Sequence, residues 1–453
     1  MLVIVLWIAF GLVSLALYFA NSMNLELRAS DNRVSAMAAD QAIDGGVRYL
    51  NYLLATQVAN GSNGVSLPLD YSLCQAVPVG QAHYWLIGRD TNNPVGAGRL
   101  CFGLVDEASK LNLNVASSNA LIWLPRMTAD LAQAIQDWRD TNGNGPTVTY
   151  YAMQQPSYQC KCDPFETVDE LRLLYGADMD TLIGEDVNRN GVLDANENDD
   201  NQNSMLDPGV LEYVTVYSRE PNTNSDGSAK INISSLTSTS TELGSLLQTN
   251  FGTARANQIL GSLGLQVNSG PAGGGGGRGG GAVVAVTVRF TSPLQFYAKS
   301  GMTSTEFALI GTNLTVSSGT YTEGRVNVNT ASAAVLTCLL GGDISVAQLL
   351  VNYRQSNPNN LTSIAWIIDA LGQGYPDALQ ALQAGDYITT QSYQFTADIA
   401  ALGPYGRGYR RVKFIFDTSS GTPKIIYRQD LTHLGWALGK AVRQNWVLAK
   451  ASP

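Results

Sequence analysis

Charge is the scarcest commodity in this sequence. Only 14% of its 453 residues are Asp, Glu, Lys or Arg, against about 25% in an average soluble protein. The 28 bases are outnumbered by 37 acids, for a formal net charge of −9. That balance excludes the clustered cationic surface on which nucleic acid or an anionic bilayer surface binds. Two histidines and five cysteines leave little material for acid–base, thiol or zinc chemistry. His83 lies in a strand-like run beside Tyr84 and Trp85, and His433 lies near the C-terminus. Neither has a nucleophile at a useful spacing, so a non-enzymatic protein is expected. Cys74 and Cys101 flank neighbouring β-type stretches and form the candidate disulfide. Cys160 and Cys162, in Cys-Lys-Cys, stand too close to pair readily with each other. Cys338 reads as a small buried hydrophobe. With an odd number of cysteines, at least one thiol stays outside any internal pair.

Charge is absent altogether from the first twenty residues, MLVIVLWIAFGLVSLALYFA, and the first charged side chain is Glu26. About 20 apolar residues span the hydrocarbon of a bilayer as a helix. Residues 1–56 therefore read as one long helix, a membrane anchor carried by Leu2, Val5, Trp7, Phe10 and Leu17, then an amphipathic stem. In the stem Val34, Met37, Ile43, Val47, Leu50 and Leu54 recur every three to four residues. No basic residue precedes the apolar run, which argues against a cleavable secretory signal.

Beyond residue 56 the period changes. A β segment is expected over 57–109, from Tyr84-Trp-Leu-Ile and Leu100-Cys-Phe-Gly-Leu-Val, and another over 282–322, from Ala282-Val-Val-Ala-Val-Thr-Val-Arg-Phe. A C-terminal module over 381–453 carries a hairpin of Arg410-Arg-Val-Lys-Phe-Ile-Phe-Asp and Lys424-Ile-Ile-Tyr-Arg around a Gly/Ser turn. The glycine tract within 269–281 reads as a flexible linker; no Gly-Lys-Ser or Gly-Lys-Thr follows it, so a phosphate loop is not indicated. Between these pieces lies a repeat: Lys110-Leu-Asn-Leu-Asn-Val-Ala-Ser, Lys230-Ile-Asn-Ile-Ser-Ser-Leu-Thr and Arg325-Val-Asn-Val-Asn-Thr-Ala-Ser. Each copy is a short β-like stretch ending in a helix N-cap residue and leading into paired helices. They delimit helix-hairpin-helix units at 110–215, 216–268 and 323–380. Such units can bind DNA, but the turns here are Pro125-Arg-Met-Thr and Gly341-Gly-Asp-Ile, the second carrying an acid. A structural or protein-contact role is the expectation.

The strongest local chemistry is for calcium. Asp186-Val-Asn188-Arg-Asn190-Gly191-Val192-Leu-Asp194-Ala-Asn-Glu197 places oxygen ligands at positions one, three, five, nine and twelve of a calcium loop, a backbone carbonyl at seven and glycine at six. The next stretch, Asp199, Asn201, Asn203 and Asp207, repeats the spacing with Ser204 in place of the glycine. Seven acids and one base fall between Glu185 and Asp207, a density that repels itself without a cation. One or two structural Ca2+ ions are expected. A third fragment, Asp140-Thr-Asn142-Gly-Asn144-Gly145, has the opening spacing but Tyr151 at position twelve.

The order of these features resembles the minor pseudopilin family of the type II secretion system known as general secretion pathway protein K. The resemblance rests on VLWIAFGLVSLALYF, on Val105-Asp-Glu-Ala-Ser-Lys-Leu-Asn-Leu-Asn with Leu131-Ala-Gln-Ala-Ile-Gln-Asp-Trp-Arg-Asp, on Pro164-Phe-Glu-Thr-Val-Asp-Glu-Leu, on Leu211-Glu-Tyr-Val-Thr-Val-Tyr-Ser and on the repeats. It implies an α+β protein in which a pilin-like long helix and antiparallel sheet carry inserted all-α, helix-hairpin-helix (SAM-like) domains that bind calcium. It further implies a structural role at the tip of a periplasmic pseudopilus, initiating the filament and helping export folded proteins. The implied partners are the other minor pseudopilins, the major pseudopilin, the inner membrane, crossed once with the bulk of the chain in the periplasm, and the prepilin peptidase where a leader exists; nucleic acid is not among them. The sequence departs from that family in opening directly on the apolar run, in having three repeats where two are expected, and in the glycine tract before the third. Major pilins carry a glutamate near their mature start; Val5 is the matching position if the mature chain begins near Met1, which suits an end position in a filament. A type IV pilus-like minor pilin or surface adhesin shares the anchor and is the alternative; a DNA-uptake protein fits least.

Overall fold

The computed structural model describes residues 2–59, 74–91, 100–237, 241–265, 287–440 and 442. The glycine linker at 269–281 lies outside them. The fold is α+β. Helix Leu2–Ala59 runs unbroken for 58 residues, about 87 Å at 1.5 Å per residue. Its first part stands clear of the rest of the chain: Leu2, Val5, Trp7, Phe10 and Leu17 are all exposed. It is long and apolar enough to cross a membrane.

The second part of the helix packs on an antiparallel sheet whose strands run in the order Val77–Val79, Ala82–Ile87, Gln394–Leu402, Arg410–Asp417, Lys424–Asp430, with Val105–Asp106 also on Gln394–Leu402. The contact stripe of the helix is Ser35, Ala39, Ala42, Ile43, Gly46, Leu50 and Leu54, recurring at three and four residues. This differs from the expected stripe at its start, where Val34 and Met37 are exposed. Small side chains face the sheet there because the two backbones approach closely. A Cβ on Gly46 would meet the Tyr84 ring at 3.3 Å, and one on Gly408 would lie 2.4 Å from backbone atoms of Ser35 and Ala36. The larger Ile43, Leu50 and Leu54 meet Phe395, Ile399, Val412 and Phe414 in one cluster. Ile43→Val, which deletes one methyl group there, is expected to cost about 0.5–1.5 kcal/mol, read as a shift of the urea midpoint at unchanged slope.

Strand Gln394–Leu402 is central and buried along its whole length, with Ile399 between Leu86 and Val412. Its odd-numbered residues face the helix. On the other face Thr396 donates to Glu107, Asp398 pairs with Arg411, and Ala400 and Leu402 pack with Trp85, Ala437 and Leu438. From Gln394 to Ile399 the strand alternates polar and apolar residues, as two differently covered faces require; the alternation lapses at Ala400–Leu402, where both faces are apolar.

The insert between the sheet strands consists of three strand-bracketed units. In each, the repeat strand pairs in parallel with a closing strand: Leu111–Asn112 with Val214–Thr215, Ile231–Asn232 with Leu314–Thr315, and Val326–Asn327 with Ile388–Thr389. Ser117 and Ser332 cap the following helices by accepting backbone N–H groups, as their position before the apolar run requires. In the first unit Arg139 donates to the carbonyls of Leu113 and Ala116; in the third, Arg354 donates to those of Val328 and Ala331. The middle unit is larger than expected. The β segment placed at 282–322 holds, after the short strand Thr287–Val288, helices Pro293–Ser300 and Ser304–Ile310, started by Ser292 ahead of Pro293 and by the Thr303–Glu306 capping box. These helices and Thr241–Ser262, broken at Gly252 (φ 76°), share one unit that runs to Thr315. Strands Arg219–Pro221 and Tyr321–Glu323 form an antiparallel stem beneath it. At that stem a buried ion cluster gathers: Glu220 meets Lys230 at 2.7 Å and Arg325 at 3.0 Å, and Arg325 also pairs with Asp386.

Candidate metal centre

Both calcium-like stretches fold into the same turn, and their internal hydrogen bonds correspond atom for atom. In the first, Asp186 Oδ1 and Oδ2 accept from the N–H groups of Asn190 and Gly191 at 2.9 and 2.8 Å. In the second, Asp199 accepts from Asn203 and Ser204 at 3.1 and 2.8 Å. The amides of Asn188 and Asn190 donate to Asp194 Oδ2 at 2.7 and 2.9 Å; those of Asn201 and Asn203 donate to Asp207 Oδ2 at 2.6 and 2.9 Å. Position four is left-handed in both, Arg189 at φ 55° and Gln202 at φ 58°, and so is position six, Gly191 at φ 81° and Ser204 at φ 59°. Ser204 thus adopts the glycine conformation at the cost that any Cβ incurs there, about 1–2 kcal/mol.

The closing carboxylates differ in origin. In the first loop Glu197 spans the turn, accepting from the N–H of Asn188 at 3.1 Å and of Asp194 at 2.9 Å. In the second, position twelve is Val210, buried in the core. Glu185 takes its place, accepting from Asp200 and Asp207 N–H groups, each at 2.9 Å. Glu185 was not among the sequence-derived ligands because it precedes the loop it closes, and no spacing rule reaches backward.

The donor set is chemically suited to a hard cation. Asp186, Asn188, Asn190, the Val192 carbonyl, Asp194 and Glu197 supply oxygen at the loop positions calcium uses. Asp199, Asn201, Asn203, Asp207 and Glu185 do so in the second loop. Among the described residues no three His, Cys, Asp or Glu side chains converge on one point; in each loop three carboxylates share the donor set with two asparagine amides. Burial pushes the Asp186 carboxyl up, with Arg89 opposing. It pushes Glu197 up as well, against the N–H groups of Asp194 and Asn188. The third fragment makes no such turn: Asp140 accepts locally from Asn142, and Tyr151 is fully buried in the core.

The loops differ in surroundings. Asp186, Asn188 and Asn190 are buried, whereas 201–205 are exposed. Arg411 and Arg89 hold the first loop against the back of the sheet. Arg411, itself paired with Asp398 at 2.5 Å, donates to the carbonyls of Asn188 and Arg189 at 2.5 and 2.7 Å. Arg89, paired with Glu212 at 2.8 Å, donates to the same Arg189 carbonyl at 2.9 Å. Arg126, in the turn considered for phosphate contact, instead faces Asp180 at 2.5 Å and Glu185 and Asp200 at 3.8 Å. In the other turn Gly342 lies against Trp123, where a Cβ would lie 2.7 Å from the indole, and Asp343 caps the next helix.

Cys74 and Cys101 do lie near each other. Their carbonyls accept from Leu86 and Gly88 N–H groups, each at 2.8 Å, two residues apart along one strand edge. No Sγ–Sγ bond joins any of the five cysteines. Positions stacked along an edge are separated by about 7 Å of strand, at the limit a disulfide bridges.

No family model and no curated protein matches the chain. Among solved structures it is similar to one described as the crystal structure of the GspK-GspI-GspJ complex from the enterotoxigenic Escherichia coli type 2 secretion system. The TM-score is 0.43 and the identity 11%, over 89% of this chain and 99% of that chain.

Proposed function

We propose that this chain is a minor pseudopilin: a membrane-anchored structural subunit at the tip of a type II secretion pseudopilus, with a calcium-stabilised insert. One observation carries the reading. A single helix presents a charge-free, wholly exposed first part, then lies along one face of an antiparallel sheet, while on the opposite face the segment 436–438 packs on Trp85 and Ala400 and Arg411 bonds to the first loop of the insert. A subunit built this way is held in the inner membrane by Leu2, Val5, Trp7, Phe10 and Leu17, crosses it once, and stands its bulk in the periplasm. Residues 2–25 contain no carboxylate that a neighbouring subunit's amine would meet inside hydrocarbon, where an unpaired charge is costly. With a mature start near Met1, that suits the end of a filament rather than its shaft. The partners on this reading are the other minor pseudopilins and the major pseudopilin, with the prepilin peptidase acting on any leader. The role is structural rather than catalytic.

The calcium assignment belongs to the same proposal: Asp186, Asn188, Asn190, Val192, Asp194 and Glu197 hold one ion, and Asp199, Asn201, Asn203, Asp207 and Glu185 a second. Deleting the gene is expected to abolish secretion of folded substrates, and affinity capture of the full chain from detergent extracts to recover the other minor pseudopilins. Intact secretion, or crosslinks placing many copies along the shaft, would overturn the reading. Duplex DNA at low salt should not be retained on a filter with the purified protein, because the basic turn residue Arg126 is already engaged by three acids.

A further inference from the structure

The two loops share a hydrogen-bond pattern, and the first also bonds outward to the C-terminal segment. The amide of Asn188 donates inward to Asp194 at 2.7 Å and outward to the Trp436 carbonyl at 3.2 Å. Asn190 does the same, to Asp194 at 2.9 Å and to the Ala437 carbonyl at 3.2 Å. Trp436 and Ala437 belong to the segment that, with Leu438, covers Trp85, Ile87, Ala400 and Leu402 on the back of the sheet. In the second loop the amides of Asn201 and Asn203 donate to Asp207, and no tail carbonyl accepts from them among the described residues. A carboxylate at 188 or 190 could serve a cation equally well but has no hydrogen to give a carbonyl. Asn188 and Asn190 can thus offer an oxygen to a cation and a hydrogen to the tail at once.

We propose that the first loop and the segment around Trp436–Ala437 form a calcium-responsive clasp, in which orienting the Asn188 and Asn190 amides on the ion fixes the C-terminal segment over the sheet and locks the insert to the pilin body. Arg411 sets the loop's position within the clasp, since its guanidinium bridges the sheet residue Asp398 and the carbonyls of Asn188 and Arg189. The clasp rests on the calcium assignment above. An amide whose oxygen is held by a cation cannot swing away from the carbonyl that its nitrogen contacts, so loop order and tail order rise together. Sites that open locally at low free energy show such coupling in hydrogen exchange.

The test uses the full chain in detergent micelles, with calcium added or removed by chelator. Calorimetry reads binding, and hydrogen-exchange mass spectrometry reads the peptide covering 431–440. Calcium should slow exchange in that peptide by about tenfold in the wild type. The double variant N188D/N190D should bind calcium at least as tightly, because it adds ligand charge, while its 431–440 exchange no longer responds. The control N201D/N203D should respond as the wild type does. Calcium heat without any change at 431–440 in the wild type would overturn the clasp and leave the calcium assignment standing; absence of heat would remove both. A calcium response retained in folded N188D/N190D would also overturn the clasp.

Discussion

Replacing Arg325 with methionine is expected to destabilise the folded chain by about 3–5 kcal/mol, the usual result of removing one partner from a buried ion pair. Arg325 is the cation between Glu220 and Asp386, and all three are largely shielded from water. Burial alone would raise the Glu220 carboxyl, but Arg325 and Lys230 outweigh it and hold it at about 2. Burial raises Asp386 despite Arg325. Without the guanidinium, both acids face each other through a dry stem with Lys230 as the remaining cation, and one must take up a proton. The pH dependence follows in sign. A carboxyl held below its ordinary value contributes stability that is complete above about 4.5 and is lost as pH falls toward about 2. The wild type should therefore lose stability across that window, and Arg325→Met should flatten the loss. Chemical denaturation at pH 7 and at pH 3 checks both. An Arg325→Met protein within about 1 kcal/mol of wild type at pH 7 would show that the stem does not bear on folding.

Calcium at a hundred times its dissociation constant is expected to stabilise the chain by about 2.7 kcal/mol per site, and chelation to lower its melting temperature accordingly. Removing Glu197 separates ligand loss from damage to the fold. Glu197→Gln discards a charge from a segment with seven acids and one base. Without calcium the relief of charge repulsion opposes the loss of one of the two N–H contacts that Glu197 accepts, so the variant should lie within about 1 kcal/mol of the wild type; with calcium it should lag further behind. Glu185→Gln should weaken the second site and spare the first, since Glu185 closes only the turn of Asp199–Asp207. Acid should release the ion. Asp186 and Glu197 are both pushed up by burial, so protons compete for them at higher pH than for exposed carboxylates. In chelator the same shift has the opposite consequence: these two groups then reduce stability as pH rises through their raised values. Equal melting curves with calcium and with chelator at pH 7 would sink the assignment.

Much of the site was legible from residue order. The first loop follows a spacing set by calcium-ligand geometry within twelve consecutive residues, and hydrogen bonds draw Asp186, Asn188, Asn190, Asp194 and Glu197 into one turn. The second was legible except for its closing acid. Glu185 reaches it from outside the run, and that contact depends on how Ile183–Gly184 lies against Asp207–Gly209. Spacing gives Asn188 and Asn190 a role through their oxygens alone; the tail carbonyls, more than 240 residues away, give their amide nitrogens one. The stretch 282–322 misled because its short apolar run suggested strands, whereas the helices after it are started by Ser292 and by the Thr303–Glu306 box.

By itself, the sequence determined what local chemistry controls: a charge-free helix start too apolar for water, caps that begin helices after each repeat strand, and a loop with oxygens at metal spacing. Tertiary structure decided everything that depends on distant segments meeting. It selected small residues for the helix face where Gly46 lies under Tyr84 and Gly408 under Ser35. It made Gln394–Leu402 the centre of the sheet, and it put the first loop, through Arg411, against the back of that sheet. Those outcomes follow from packing and from satisfying buried polar groups across the fold, which no window of consecutive residues encodes.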